Sequence, residues 1–186
     1  MKKTSALIAI LMLFVCTVAT AQTAEGLPVS NETQKILYTE VIKVTDNSGK
    51  AVIYDRAFSW AQTNKYRITQ MDKENGVMTC EGSFPVTYPG PRVGMNDNGI
   101  VKFTVTVNAK DGRYKYDITN FKHEGGKGKG NGGALELKSA ECGKFVLPDG
   151  GWAKIKKDTA AKMKEVINDM QLSISPAGEA PVKSDW

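Results

Sequence analysis

The residues that invite a chemical reading are concentrated in "GGKGKGNGG", positions 125 to 133. Gly128, Gly130 and Gly133 satisfy G-x-G-x-x-G, with Lys127 and Lys129 beside them. Such glycines cradle a pyrophosphate when they end a strand and open a helix whose N-terminus faces the anion. Here "ALELKSAE" follows, with strand-like alternation at Leu135 and Leu137, so no helix start is presented. A G-x-x-x-x-G-K-[ST] phosphate loop is absent too. The stretch reads instead as a flexible connection whose glycines relax the backbone and whose lysines keep a strand edge soluble.

Other constellations are equally sparse. His123 is the one histidine, and Cys80 and Cys142 lack the paired spacing of zinc ligands, so no metal or cofactor is expected. A thiol nucleophile would need one of these cysteines beside His123 and an orienting group, and no local signature marks that arrangement. Glu81 and Asp117 form the acid pair that a glycan or peptide hydrolase would use. On an exposed strand such acids more often serve as partners of Lys102 and Arg113.

The elements that must position these residues begin behind an export signal. Lys2 and Lys3 precede a short apolar run from Ala6 to Val15, and Ala19-Thr20-Ala21 gives the A-x-A pattern for cleavage before Gln22. Ten apolar residues are too few to span a bilayer, which takes about twenty. Cys16 is the rival processing point, as a lipid anchor, but Val15 before it is not the small residue that such processing favours. Cleavage takes two lysines from the 25 basic residues and none of the 20 acids, leaving 23 against 20 and a net charge of +3. That balance argues against nucleic acid, whose binders carry a clustered basic face. The expected location is the periplasm or beyond, with no transmembrane segment in the mature chain. Cys80 and Cys142 are then an even pair in an oxidising compartment, where a disulfide is allowed.

After a polar leader at 22–34, "ILYTEVIKV" (36–44) has the β-branched and aromatic content of a strand. Ile53, Ala57, Trp60 and Ala61 then fall at helical spacing over 50–64, with Ser48 as N-cap. Strands near 66–72 and 77–84 flank Asn75-Gly76, a hairpin dipeptide. Residues 85–99, with three prolines, read as a surface loop. Val101, Phe103, Val105 and Val107 alternate with Lys102, Thr104, Thr106 and Asn108 in a half-buried strand. Asp111-Gly112 turns the chain into a fifth strand, with Tyr114, Tyr116 and Ile118 on one side and Lys115, Asp117 and Thr119 on the other. A short strand is expected at Leu135 and Leu137. From Trp152 to Met170 an apolar stripe of helical period returns, and 175–186 reads as a tail that leaves Trp186 in solvent.

These elements give one α+β domain over 35–174, in two layers: an antiparallel sheet with both helices on one face, in the order β-α-β-β-β-β-α. Trp60 and Trp152 should be buried between the layers. The other sheet face stays open and carries Lys102, Thr104, Thr106, Arg113, Lys115, Asp117 and Thr119 as a candidate binding surface for an envelope protein or glycan.

"LPV" at 27–29, "YTEVIKV" leading into "YDRAFSWAQTNKY", and "VNAKDGRYKYDITNF" resemble a family of exported bacterial domains of unknown function with a TATA-binding-protein-like fold. The resemblance spans roughly 27–172. It implies the same β-α-β-β-β-β-α order and carries no catalytic residues. The functional expectation is an envelope binding or structural module, more naturally a non-enzyme. The hydrolase built on sheet-face acids is the alternative.

Overall fold

A computed structural model of the chain describes residues 21–22 and 25–175. Cys16, Ala19, the greater part of the expected tail and Trp186 lie outside the described residues. The elements are β1 (Ala21–Gln22), β2 (Pro28–Val29), β3 (Tyr38–Lys43), α1 (Lys50–Thr63), β4 (Arg67–Asp72), β5 (Val77–Pro89), β6 (Asn96–Lys110), β7 (Arg113–Gly125), β8 (Gly133–Ala134) and α2 (Asp149–Ile174). The main sheet runs β3-β7-β6-β5-β4, antiparallel throughout, with β8 added to the end of β7. Helix α1 carries the chain from one edge strand to the other. Both helices cover one face, α1 over β4 to β7 and α2 against β5 and α1. The two-layer α+β architecture and its element order are those expected from periodicity.

The layers meet through the alternating residues. Val101, Phe103, Val105 and Val107 on β6 and Tyr114, Tyr116 and Ile118 on β7 are buried under Ile53, Ala57, Trp60 and Ala61 of α1 and the α2 stripe from Trp152 to Met170. Trp60 and Trp152 are each 2% exposed. The two indoles play different parts. Trp60 packs edge-on against Tyr66, which packs edge-on against Phe103, and its Nε1 donates to Asp169 on α2 at 2.7 Å. Trp152 lies at the end of the sheet over His123 and donates to the Leu137 carbonyl at 3.0 Å.

Four expectations are corrected. The 85–99 segment is chiefly strand: β5 continues to Pro89 and β6 begins at Asn96, paired throughout. Its prolines are tolerated because β4 stops pairing at Glu81, which makes the rest of β5 a sheet edge whose outward N–H groups need no strand partner. Phe84, Val86 and Tyr88 keep the buried parity. Second, Leu135 and Leu137 form no strand. β8 ends at Ala134, Leu135 is buried, and a turn from Ala134 to Leu137 lifts Leu137 toward solvent. Third, α1 is not capped by Ser48. Gly49 is the N-cap, and the Asp111 carboxylate on the β6–β7 hairpin accepts the Lys50 N–H at 2.7 Å. Fourth, the segment read as a leader contains fully buried Leu27, and β2 with a bridge from Val29 to Ile36 closes it onto the domain.

Candidate functional site

The register places the seven candidate residues on one side. Thr104 stands opposite Thr119, Thr106 opposite Asp117, and Lys110 opposite Arg113, so Lys102, Thr104 and Thr106 share the helix-free face with Arg113, Lys115, Asp117 and Thr119. Several of these side chains are occupied within the face. Asp117 accepts the Thr39 hydroxyl at 2.6 Å and pairs with Lys115 at 3.3 Å, and Thr119 donates to the Ile36 carbonyl. Lys102 reaches Glu124 at 2.7 Å.

Glu81 lies on the same face but two strands from Asp117. With strands about 4.8 Å apart and a rise of about 3.4 Å per residue, their Cα atoms stand about 12 Å apart. Glycosidase carboxyl pairs lie about 5 to 9.5 Å apart. The two acids are also drawn to opposite edges, Glu81 by Arg67 on β4 and Asp117 by Thr39 on β3. The sheet does not assemble them into one catalytic pair.

At the Glu81 end of this face a cleft of about 850 Å³ opens between the α1–β4 connection and strands β5 to β7. Lys65, Tyr66 and Arg67 form one wall, and Ser83, Lys102, Thr104, Asn120 and Lys122 lie on its sheet side. Two backbone irregularities shape it. Lys65 follows the C-terminus of α1 at φ 56°, and its N–H and that of Tyr66 satisfy the carbonyls of Gln62 and Ala61. Asn120, at φ 57°, sits where the β6–β7 register shifts between Lys102 and Thr104. A bulge of this kind re-aims the following side chains. It brings Lys122 directly opposite Lys102. Gly82 is required beneath the cleft, because a side chain there would collide with the Phe103 ring. Burial pushes the Tyr66 phenol up to about 12. Of these lining residues, periodicity identified Lys102 and Thr104. Lys65, Arg67, Asn120 and Lys122 were missed because a helix-terminal turn and a bulge, neither marked by glycine, bring them in.

The glycine stretch is not a flexible connection. Gly125 donates to the Asn131 side chain, Gly126 to the Asn98 carbonyl, and Gly132 to His123 Nδ1 at 3.1 Å. Gly130 packs on Cys142 and Val146, and Gly132 on the rings of Trp152 and His123. Lys129 pairs at 2.7 Å with Asp97, whose side chain is 8% exposed. The glycines therefore serve close packing, and no phosphate-facing helix start follows them.

His123 itself is 1% exposed between Tyr88 and Trp152, and burial holds its imidazole below the ordinary range. Cys80 and Cys142 are both free thiols, so the disulfide that export would allow is not formed in this structure. Cys80 is wholly buried on β5, where desolvation pushes it up to about 12, far from a reactive thiolate. Among the described residues no group of three or more His, Cys, Asp or Glu side chains could hold a metal ion. No helix among them is long and apolar enough to cross a membrane.

A comparison with curated proteins finds no match. Two solved structures are similar in fold. A DUF4468 family protein from Bacteroides ovatus aligns over 89% of this chain and 94% of its own, with a TM-score of 0.59 at 15% identity. A TBP-like protein from Parabacteroides distasonis aligns over 79% of this chain and 98% of its own, with a TM-score of 0.51 at 15% identity. The family model described as "Domain of unknown function (DUF4468) with TBP-like fold" matches residues 38–124, from the start of β3 to the last-but-one residue of β7. Through that segment, the five-stranded sheet and the helix that crosses it, the chain is similar to the DUF4468 family and shares its TBP-like fold.

Proposed function

We propose that this protein is an exported, non-enzymatic binding module of the cell envelope, cleaved after Ala21 and free of a lipid at Cys16, whose helix-free sheet face docks a partner. The observation that carries the reading is the alignment of Lys102, Thr104, Thr106, Arg113, Lys115, Asp117 and Thr119 on one uncovered face. A sheet with both helices on one side leaves such a face available without unfolding. Its chemistry is cationic and hydroxylic, suited to hydrogen bonding with a polar surface. The hydrolase alternative draws no support from the positions of Glu81 and Asp117.

The test is capture from envelope extract on the immobilised mature domain, in parallel with a variant carrying Lys102→Glu and Lys115→Glu. A partner held by the wild type and released by the variant, at unchanged melting temperature, is the expected outcome. Equal capture by both would refute the assignment of the face. Intact mass gives the processing independently: a diacylglycerol adduct on Cys16 would overturn the unlipidated form.

A further inference from the structure

The cleft at the Glu81 end of the open face has an electrostatic peculiarity that its own contacts do not remove. Lys65, Arg67, Lys102 and Lys122 all line it, against one lining acid, Glu81. Glu81 is taken by Arg67, and Glu124 lies just outside on Lys102. Lys65 and Lys122 form no ion pair among the described residues, and Lys122 stands directly across the β6–β7 ladder from Lys102. Like charges opposite one another on neighbouring strands destabilise a sheet. The bulge at Asn120 creates that confrontation rather than relieving it.

We infer that this cleft binds an anionic glycan, with Lys65 and Lys122 meeting its charged groups and Ser83, Thr104 and Asn120 meeting its hydroxyls. The inference rests on the open-face reading and specifies its ligand. Two observations favour a glycan over an acidic peptide. The sheet side of the cleft offers hydroxyl and amide side chains, which both donate and accept hydrogen bonds as sugar hydroxyls do. The adjoining free edge of β5, where an extended peptide would add as a strand, is interrupted by Pro85 and Pro89, which cannot donate to a ladder. Exposed lysines ordinarily make weak ion pairs, each changing an equilibrium by about 1.4- to 5-fold. Affinity would then come from several such contacts along one polymer and fall with added salt.

The mature domain is titrated calorimetrically with polygalacturonate, dextran sulfate, uncharged dextran and poly-glutamate. The variants are Lys65→Gln with Lys122→Gln together, and Lys115→Gln as a control on the same face outside the cleft. At least one of the two charged glycans should bind, dextran should not, and the double variant should weaken binding roughly 2- to 25-fold. The carboxylated and sulfated arms identify which anion is preferred. The inference is overturned if neither charged glycan binds, if poly-glutamate binds more tightly than both, or if the double variant binds like wild type. Weakening by Lys115→Gln alone would remove the cleft and leave the open face standing. Failure of the face itself would appear separately, as capture insensitive to Lys102→Glu and Lys115→Glu.

Discussion

Replacing Gly132 with alanine tests whether the glycine stretch is packed structure or slack. Its φ is not in the left-handed region, so alanine meets no backbone penalty there. A methyl at this position would instead strike the Trp152 ring and come within 2.8 Å of His123 Nδ1. Both rings are buried, and Trp152 is held by the Leu137 carbonyl and His123 by the Gly132 N–H, so neither can retreat without breaking a hydrogen bond. Overpacking of this kind costs about 1 to 3 kcal/mol. For a domain of this size 1 kcal/mol lowers the melting temperature by about 2 to 4 °C, which gives a fall of about 2 to 12 °C. Gly150→Ala is the control: it lies in the first turn of α2 with open space around its Cβ, and should raise stability by about 0.4 to 1 kcal/mol. The assay is differential scanning calorimetry of both variants. A Gly132→Ala protein melting within a degree of wild type would show that the segment yields freely, and the close-packing account of the glycines would be wrong.

Further expectations follow from the core. Trp60→Ala and Trp152→Ala should each cost about 3 to 5 kcal/mol in chemical denaturation, and near-wild-type midpoints for both would remove the two-helix packing. Burial lowers the His123 pKa in the folded state, so the unfolded chain binds the proton more readily. The stability this group contributes is complete above the ordinary imidazole pKa of about 6.5 and is lost progressively as pH falls below that value and through the lowered folded-state pKa. Urea midpoints of His123→Phe should therefore decline less than wild type between pH 7.5 and 5.5, and parallel curves would refute the assignment. Cys80 should resist thiol reagents in the native protein and react only on unfolding, whereas partly buried Cys142 should label in the folded state. Rapid labelling of both would contradict the core placement of Cys80.

Periodicity recovers the element order because most of the sheet obeys a strict two-residue rule. Along β6 the apolar residues from Val101 to Val107 alternate without a break, and their wet neighbours fall automatically on the open face. The dipeptides Asn75-Gly76 and Asp111-Gly112 mark real turns, with φ of 73° and 69° at the two glycines. Reading failed where a residue type has two physical uses. Pro85 and Pro89 signal a loop in isolation, but an edge strand also accepts them. Glycines at 125–133 signal freedom, but Gly130 and Gly132 are there because large neighbours leave no room. The cleft was only partly legible for a further reason. Asn120 and Lys65 adopt left-handed conformations at positions where no glycine announces them, and the lysines they gather, Lys65, Lys102 and Lys122, stand 20 or more residues apart in the sequence.

The capping of α1 from the β6–β7 hairpin limits where the chain can change length. Hairpin tips are ordinarily the places where insertions do least harm. Here the tip at Asp111-Gly112 holds the helix start: Asp111 receives the Lys50 N–H, the Gly112 N–H goes to the Ser48 carbonyl, and the Gly112 carbonyl receives Val44. The other tip is similarly committed, since the Gly76 carbonyl receives the Ala109 N–H and the Lys50 ammonium lands on the Glu74 carbonyl. An added residue at the Asp111-Gly112 tip would slide these groups out of register and uncap a helix that is remote in sequence, and one at the Gly76 tip would break its ties to Ala109 and to the Lys50 side chain. The turn at 90–95, with Val93 and Met95 exposed and few ties to the body, is the place that can lengthen. Two of the three long-hairpin connections are thus fixed in length by a helix neither of them adjoins in the chain, and variation in this domain is channelled to the end of the sheet opposite to them.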